Sequence, residues 1–159
     1  MRPTIRSALL LAGAMMSSAA TVATGPVYVI RHLERAPGDD PSLSEKGAAR
    51  AQQLAQILAQ ANIRAVFATA TKRARETGAP LAKQLGLEVT SYDPRNVNAL
   101  AAAVEAAGGP VVIVGHSNTV ASLVAKFGGE KPAELSEQDY GTLFVVHPGT
   151  TQVHRIDLN

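Results

Sequence analysis

The chain has 159 residues, with 15 Lys and Arg against 13 Asp and Glu, and it contains no Cys. The lack of Cys excludes disulfides and a lipid anchor on Cys. The basic residues are scattered, and only three Tyr and three Phe are available to stack on bases, so the composition argues against a nucleic-acid-binding protein.

The amino-terminal segment has the order of a secretory signal peptide. Arg2 and Arg6 supply a basic start, residues 8–16 are apolar, and small residues follow as a cleavage zone. The apolar run is too short to span a bilayer, which makes an uncleaved anchor the minor alternative. We therefore expect residues 1–23 to be a signal peptide of an exported, periplasmic or secreted protein, without stable membrane insertion after cleavage. Residues 24–159 have the size of a single domain.

After this segment, short β-branched runs alternate with longer stretches of helical periodicity, which indicates βαβ units. Residues 27–30 and 111–114 are continuously apolar, as expected of strands covered on both faces. The pattern predicts an α/β three-layer sandwich, with a mostly parallel central sheet, helices on both faces and an antiparallel pair at the C-terminal edge. The predicted strands are 26–31, 65–69, 87–91, 111–115, 142–147 and 152–157.

Four helices are predicted between these strands from apolar residues at helical spacing. Ser44 is a plausible N-cap of the first helix. Pro80 should kink or restart the second. The predicted helical segments are 44–61, 71–86, and the stretches that contain 97–104 and 120–127.

Residues suited to anion binding follow three of the predicted strands. Arg31 and His32 end the first strand, Thr69 and Arg73 follow the second, and a Gly-His-Ser-Asn-Thr run at 115–119 joins the fourth to a helix. Because the carboxyl ends of parallel strands share one edge of a sheet, we expect these side chains to converge. Forked guanidinium donors and a helix amino end suit a dianion such as phosphate.

Four segments carry motifs in an order typical of one enzyme family. Residues 27–34 end a strand in Arg-His-Leu-Glu, and residues 43–47 read Leu-Ser-Glu-Lys-Gly at a helix start. Residues 69–77 contain Arg-Ala-Arg-Glu-Thr, and residues 112–119 end a second strand in Gly-His-Ser. Together they resemble the histidine phosphatase (phosphoglycerate-mutase-like) superfamily.

The resemblance implies a phosphatase, a phosphomonoester hydrolase, in which His32 accepts the phosphoryl group, Arg31 and Arg73 clamp its oxygens, and His116 is the second imidazole. Neutral imidazole is a good nucleophile near pH 7, and phosphoryl transfer needs in-line attack and surrounding positive charge. No metal or other cofactor is implied, because the arginines supply that charge. The further residues expected to bind substrate are Thr69, Ser117 and Asn118.

Three departures from the family pattern stand out. Leu33 follows the nucleophile where a small residue is usual, which predicts a narrower or displaced pocket mouth. Ala70 and Thr71 replace a frequent Pro-Leu pair. Ser117 stands where the acid-phosphatase branch carries an Asp after its second His, so the general acid is not identified by the motif.

Two carboxylates are candidates for the general acid. Glu34 is close to His32 along the chain, and Asp93 follows the third strand, where the mutase branch places its acid. Asp93 also precedes Pro94, which is the pattern of an ordinary helix N-cap with Pro at the first helical position, and we favour that interpretation. If neither residue acts, the enzyme would depend on good leaving groups such as those of phosphoramidates.

Other functions share the same residues. A mutase would return the phosphoryl group to an isomeric product, but the chain lacks the longer insertions of mutases. A phosphohistidine protein phosphatase and a catalytically silent phospho-ligand binder are further alternatives. The partner is in each case a small phosphorylated substrate or a phosphoprotein, with an envelope sugar phosphate as one possibility. No oligomeric state is indicated.

The signal-peptide assignment predicts the amino terminus of the exported protein. Mass spectrometry of the protein from cell envelopes should show a chain that begins between about Ala20 and Pro26. Recovery of an intact chain starting at Met1 from the cytosol would contradict export.

Overall fold

The computed structural model describes residues 23–159, so the predicted signal peptide lies outside the described residues except for Ala23. The predicted α/β three-layer sandwich is confirmed. Within the described range, no helix is long and apolar enough to cross a membrane.

The structure contains six strands and four helices in the described residues. The strands are β1 Val27–Arg31, β2 Ala65–Ala68, β3 Val89–Ser91, β4 Val111–Gly115, β5 Thr142–Val146 and β6 Val153–Asp157. The helices are α1 Glu45–Leu58, α2 Lys72–Leu85, α3 Val97–Ala107 and α4 Ser117–Lys126.

The six strands form one sheet in the order β3-β2-β4-β1-β5-β6. The first four are parallel, whereas β5 runs antiparallel to β1, and β6 runs antiparallel to β5. Ile30, near the end of β1, pairs with Leu143, near the start of β5. The segment that leads into β5 therefore arrives at the same edge of the sheet as the carboxyl ends of the parallel strands.

The alternation of side chains along each strand divides the core into two layers. Val112 and Val114 of β4 pack with α1 and α2 on one face. Val111 and Ile113 of the same strand pack with α3 and α4 on the other face. Burial of apolar side chains on both faces explains why the central strands are continuously apolar in sequence.

Helices leave β1 and β4 toward opposite faces of the sheet. The chain passes from β1 into α1 on one face and from β4 into α4 on the other, although the two strands are hydrogen-bonded neighbours. Such a topological switch point opens a crevice beyond the carboxyl ends of the two strands, which is the usual ligand site of an open α/β sheet.

Two helical boundaries differ from the sequence-based expectation. Pro80 does not restart α2, which runs through it as one helix; burial of the following Leu81 in the core holds the helix across the missing hydrogen bond. The expected N-cap at Asp93 is wrong, because α3 starts three residues later. Its cap is Asn96, whose side chain accepts a hydrogen bond from the Ala99 N–H at 3.1 Å.

The amino end of α1 packs closely on the chain just after β1. Ser44 caps the helix as predicted, accepting from the Gly47 N–H at 3.2 Å, and its own N–H donates to the Glu34 carbonyl at 2.8 Å. A Cβ atom on Gly47 would overlap that carbonyl oxygen. Glycine is therefore required at position 47, because the backbone of α1 approaches the backbone of Glu34. Glu34 lies two residues after His32 in the chain.

Replacing Gly47 should reveal this contact as a loss of stability. We expect Gly47→Ala to lower the free energy of unfolding by about 1–3 kcal/mol, the usual cost of overpacking. Helix propensity alone would favour Ala by about 1 kcal/mol, so the sign of the change separates the two effects. Urea unfolding measures it.

The matched control is Ala49→Gly, at an exposed position of the same helix. It should cost about 1 kcal/mol through propensity alone. A Gly47→Ala protein as stable as the wild type, or more stable, would contradict the close contact.

Candidate active site

A cavity of about 560 Å³ opens at the crevice between β1 and β4. Six of the residues predicted from sequence line it, and three cationic side chains face two acidic ones around its wall. Of the predicted binding residues, Thr69 contacts the site through His116. The lining residues are Arg31, His32, Arg35, Gly38, Asp39, Pro41, Arg73, His116, Ser117, Asn118 and Glu137.

His32 is held as a neutral imidazole with one free nitrogen. Its backbone N–H donates to the Gly115 carbonyl at 2.9 Å, which extends the β1–β4 ladder by one residue. Its Nδ1 lies 2.9 Å from the Leu33 carbonyl oxygen. A carbonyl can only accept, so Nδ1 carries the proton and Nε2 keeps its lone pair. His32 therefore presents Nε2 as the available nucleophile.

Burial and neighbouring charge keep this imidazole unprotonated. His32 is only 3% exposed, and its pKa is lowered from 6.5 to about 4, chiefly by burial. The guanidinium groups of Arg73 and Arg31 contribute to this lowering, whereas the hydrogen bond to Leu33 opposes it. Desolvation and like charge both penalise the protonated form, so the ring is neutral at pH 7.

His116 completes the pair of imidazoles from the other side of the crevice. Its ring centroid lies 5.3 Å from that of His32, and the two ring planes are inclined by 67°. Its Nε2 is 2.8 Å from the hydroxyl of Thr69, which follows β2. Its backbone N–H donates to the Thr119 hydroxyl at 2.9 Å, at the start of α4. The pKa of His116 is lowered mainly by burial, and then by the positive charges of Arg73 and Arg31.

Arg31 is almost fully buried, at 2% exposure, and is surrounded by the segment that leads into β5. One terminal nitrogen donates to the carbonyls of Ser136 and Asp139 at 2.8 and 3.1 Å. The other donates to the Glu137 carboxylate at 3.1 Å and the Tyr140 hydroxyl at 3.2 Å. The guanidinium carbon also lies 4.0 Å from the centre of the Tyr140 ring.

Arg73, in the first turn of α2, is the second guanidinium of the cavity. Its terminal nitrogen lies 3.6 Å from the carboxylate of Asp40. The Nε–H groups of Arg73 and Arg31 are both buried without a hydrogen-bond partner among the described residues. Buried unpaired donors are costly, and an anion in the cavity is a chemically suitable partner for them.

Leu33 does not narrow the cavity. Its side chain is fully buried in the core with α1 and α2, and its N–H donates to the Thr77 hydroxyl at 3.0 Å. The expectation of a narrowed or displaced mouth is therefore wrong. The chain direction after β1 turns this side chain away from the crevice.

Neither acid candidate lines the cavity. The Glu34 carboxylate pairs with Arg50 and with Lys46 of α1. Asp93 lies at the surface, where its carboxylate accepts from the backbone and side chain of Arg95. These hydrogen bonds lower the pKa of Asp93.

Two other carboxylates line the cavity, Asp39 and Glu137, and sequence analysis missed Glu137. The pKa of Glu137 is lowered most by its hydrogen bond from Ser117, at 2.6 Å, and then by the charge of Arg31. The carboxyl group is therefore ionised at neutral pH. No motif marks this residue. The available signal was topological: an antiparallel β5 beside β1 would bring the preceding segment to the end of β1, where Tyr140 also arrives.

A larger cavity, of about 640 Å³, lies elsewhere and lacks these groups. It includes Val27 at the start of β1 and Val146 at the end of β5, which is the opposite edge of the sheet. We place the chemistry in the smaller cavity, because the imidazoles and guanidiniums converge there. Throughout residues 23–159, no group of three or more His, Cys, Asp or Glu side chains could hold a metal ion.

Comparison with known proteins agrees with this arrangement. The family model for the histidine phosphatase superfamily (branch 1) matches residues 27–96, which run from β1 to the cap of α3 and include Arg31, His32 and Arg73. A search of curated protein sequences gives no match.

Solved structures share the fold at low sequence identity. SixA from Agrobacterium tumefaciens, a protein with a proposed phosphohistidine phosphatase activity, is 21% identical; the alignment covers 87% of this chain and 97% of SixA, with a TM-score of 0.65. The α-ribazole phosphatase from Shigella flexneri is 15% identical; the alignment covers 84% of this chain and 96% of that protein, with a TM-score of 0.63. A mycobacterial glucosyl-3-phosphoglycerate phosphatase in complex with VO3 is 17% identical; the alignment covers 84% of this chain and 98% of that protein, with a TM-score of 0.61.

The depressed pKa of His32 can be measured directly. Titration of its ring proton by NMR should give a midpoint near pH 4, below the 6.5 of an ordinary imidazole. His32→Gln assigns the signal by its disappearance. Addition of inorganic phosphate should raise the midpoint, because a nearby anion favours the protonated ring. A midpoint above 6 without anion would contradict the burial and charge assigned to this site.

Proposed function

We propose that the chain is a phosphatase of the histidine phosphatase superfamily, whose family model matches residues 27–96, and that it works through a phosphohistidine on His32. The observation that carries the proposal is the free Nε2 of a neutral, buried His32 in a cavity shared with two guanidinium groups. A nucleophile with an available lone pair next to anion donors is the arrangement that phosphoryl transfer requires.

In the first step, the Nε2 lone pair of His32 attacks phosphorus, an N–P bond forms, and the bond to the leaving group breaks with its electron pair. Arg31, Arg73 and the amino end of α4 stabilise charge on the transferring group. His116 donates a hydrogen bond to one of its oxygens. Water then attacks phosphorus, the N–P bond breaks, and phosphate leaves while His32 recovers its lone pair.

The choice of substrate follows from the placement of the acids. Glu34 is held by cations of α1 and Asp93 by its own surface turn, so neither is positioned to protonate a leaving group. Of the two carboxylates that line the cavity, Glu137 is ionised and is a poor proton donor, and Asp39 lies in an exposed turn. We therefore propose substrates whose leaving groups need little protonation, such as phosphoramidates, including phosphohistidine, and aryl or other activated phosphoesters.

The related structures support this range without narrowing it to one substrate. The similar SixA protein is described as acting on phosphohistidine, and another neighbour acts on a phosphorylated sugar derivative. Mutase activity is not favoured, because an exported protein has little access to glycolytic intermediates. A silent phospho-ligand binder would not require the free nucleophile that His32 presents.

Export and metal independence complete the proposal. The basic, apolar and small-residue order of residues 1–23 supports export to the periplasm or medium. Two guanidinium groups supply the positive charge that a metal ion supplies in other phosphatases, which supports activity without a metal.

Rapid-quench labelling tests the covalent step. Incubation with a labelled aryl phosphate in EDTA should place an acid-labile, alkali-stable label on the peptide that contains His32, since N–P bonds have that stability and phosphoserine the opposite. His32→Ala should abolish label and turnover. His116→Ala should slow labelling by about 10²–10³, the usual effect of a group that stabilises transition-state charge.

The acid candidates supply the controls for the same assay. Glu34→Gln and Asp93→Asn should change the ratio of aryl to alkyl phosphate turnover little, because neither carboxylate faces the cavity. Turnover restored only by zinc or magnesium after EDTA would contradict metal independence. An alkali-labile phosphoenzyme in His32→Ala would move the nucleophile to Thr69 or Ser117.

A further inference from the structure

The carboxylate of Glu137 bridges two groups of the proposed phosphoryl site. One oxygen accepts a hydrogen bond from the Ser117 hydroxyl at 2.6 Å, and the other accepts from a terminal nitrogen of Arg31 at 3.1 Å. These are donors that a phosphoryl oxygen would use. Glu137 thus binds the site in the manner expected of the substrate's anionic group.

Arg31 has no spare terminal donor while this contact exists. Each of its terminal nitrogens carries two N–H groups and makes two contacts, with Ser136 and Asp139 on one side and Glu137 and Tyr140 on the other. A phosphoryl oxygen can therefore reach a terminal nitrogen only if a partner leaves.

Glu137 is the partner best able to leave. Its side chain is 71% exposed, whereas Arg31 is 2% exposed and cannot follow it into solvent. The contacts with Ser136 and Asp139 use main-chain carbonyls, and Tyr140 packs its ring against the guanidinium. Rotation of one exposed side chain frees a donor of Arg31 and the hydroxyl of Ser117 together.

We propose that Glu137 is a built-in competitor for the phosphoryl group: its carboxylate occupies a terminal donor of Arg31 and the hydroxyl of Ser117 in the free protein, and a substrate reaches these two donors by displacing it. The inference rests on the proposed function, because it requires that this cavity takes phosphoryl groups. Two anions compete for one buried cation and repel each other.

The Glu137 carboxylate affects how tightly different phosphorylated compounds bind. It weakens the binding of every phosphoryl anion at the cavity, including the inorganic phosphate released by hydrolysis. Substrates that make additional contacts outside the phosphoryl group can offset this loss, whereas free phosphate cannot. Glu137 therefore favours product release and selects against small phosphorylated compounds.

Glu137→Gln tests the competition, because it removes the charge and keeps the size of the side chain. Calorimetric titration of the purified protein with inorganic phosphate should give a Kd about tenfold lower in the variant than in the wild type, as expected when a like charge is removed from an anion site. The KM for an aryl phosphate should fall with it.

Glu134→Gln is the matched control, since Glu134 lies in the same segment and pairs with Lys131 at 3.6 Å, outside the cavity. It should leave the phosphate Kd unchanged. Unchanged or weaker phosphate binding in Glu137→Gln would overturn the competitor role, as would a loss of kcat with no change in Kd. Tighter phosphate binding without a phosphoenzyme on His32 would instead retain the competitor and overturn the proposed hydrolysis.

Discussion

The parallel pairing of β1 with β4 is the constraint on which the site depends. Arg31 is opposite Gly115 in the ladder, and the His32 N–H donates to the Gly115 carbonyl, so the two imidazole-bearing ends are held in register. The following helices cover opposite faces of the sheet, which leaves the crevice between the strands open. His32 and His116 meet there because backbone hydrogen bonds hold the two strand ends in register.

Burial then determines both the chemistry of the site and its internal competition. Desolvation keeps His32 neutral and nucleophilic, and the nearby guanidiniums add to the effect. The same burial requires that Arg31, a permanent cation, find hydrogen-bond partners inside the protein. The segment before β5 supplies them, and one partner is the carboxylate of Glu137. The buried guanidinium of Arg31 and the carboxylate that we propose competes for it therefore lie together because a buried charge needs a partner.

Several motif residues act on the backbone and not on a substrate. The Thr77 hydroxyl accepts from the Leu33 N–H at 3.0 Å and donates to the Arg73 carbonyl at 2.8 Å, which ties the segment after β1 to the helix that carries Arg73. The Glu76 carboxylate of α2 accepts from the Leu43 N–H at 2.7 Å and so holds the chain just before the start of α1. These polar side chains fix the distances between strand ends.

By itself, the sequence determined the layered α/β fold and all six strands to within two residues at each end, because apolar periodicity is a local pattern. It also determined that Arg31, His32, Arg73 and His116 converge on one cavity, because the carboxyl ends of parallel strands share one edge of the sheet. Only the tertiary structure decided that Glu137 lines the cavity and that Glu34 and Asp93 lie outside it. Which way a side chain after a strand points depends on the neighbours it packs against. The approach of residues 136–140 to Arg31 depends on β5 pairing with β1, a contact between segments more than 100 residues apart in sequence that no local pattern encodes.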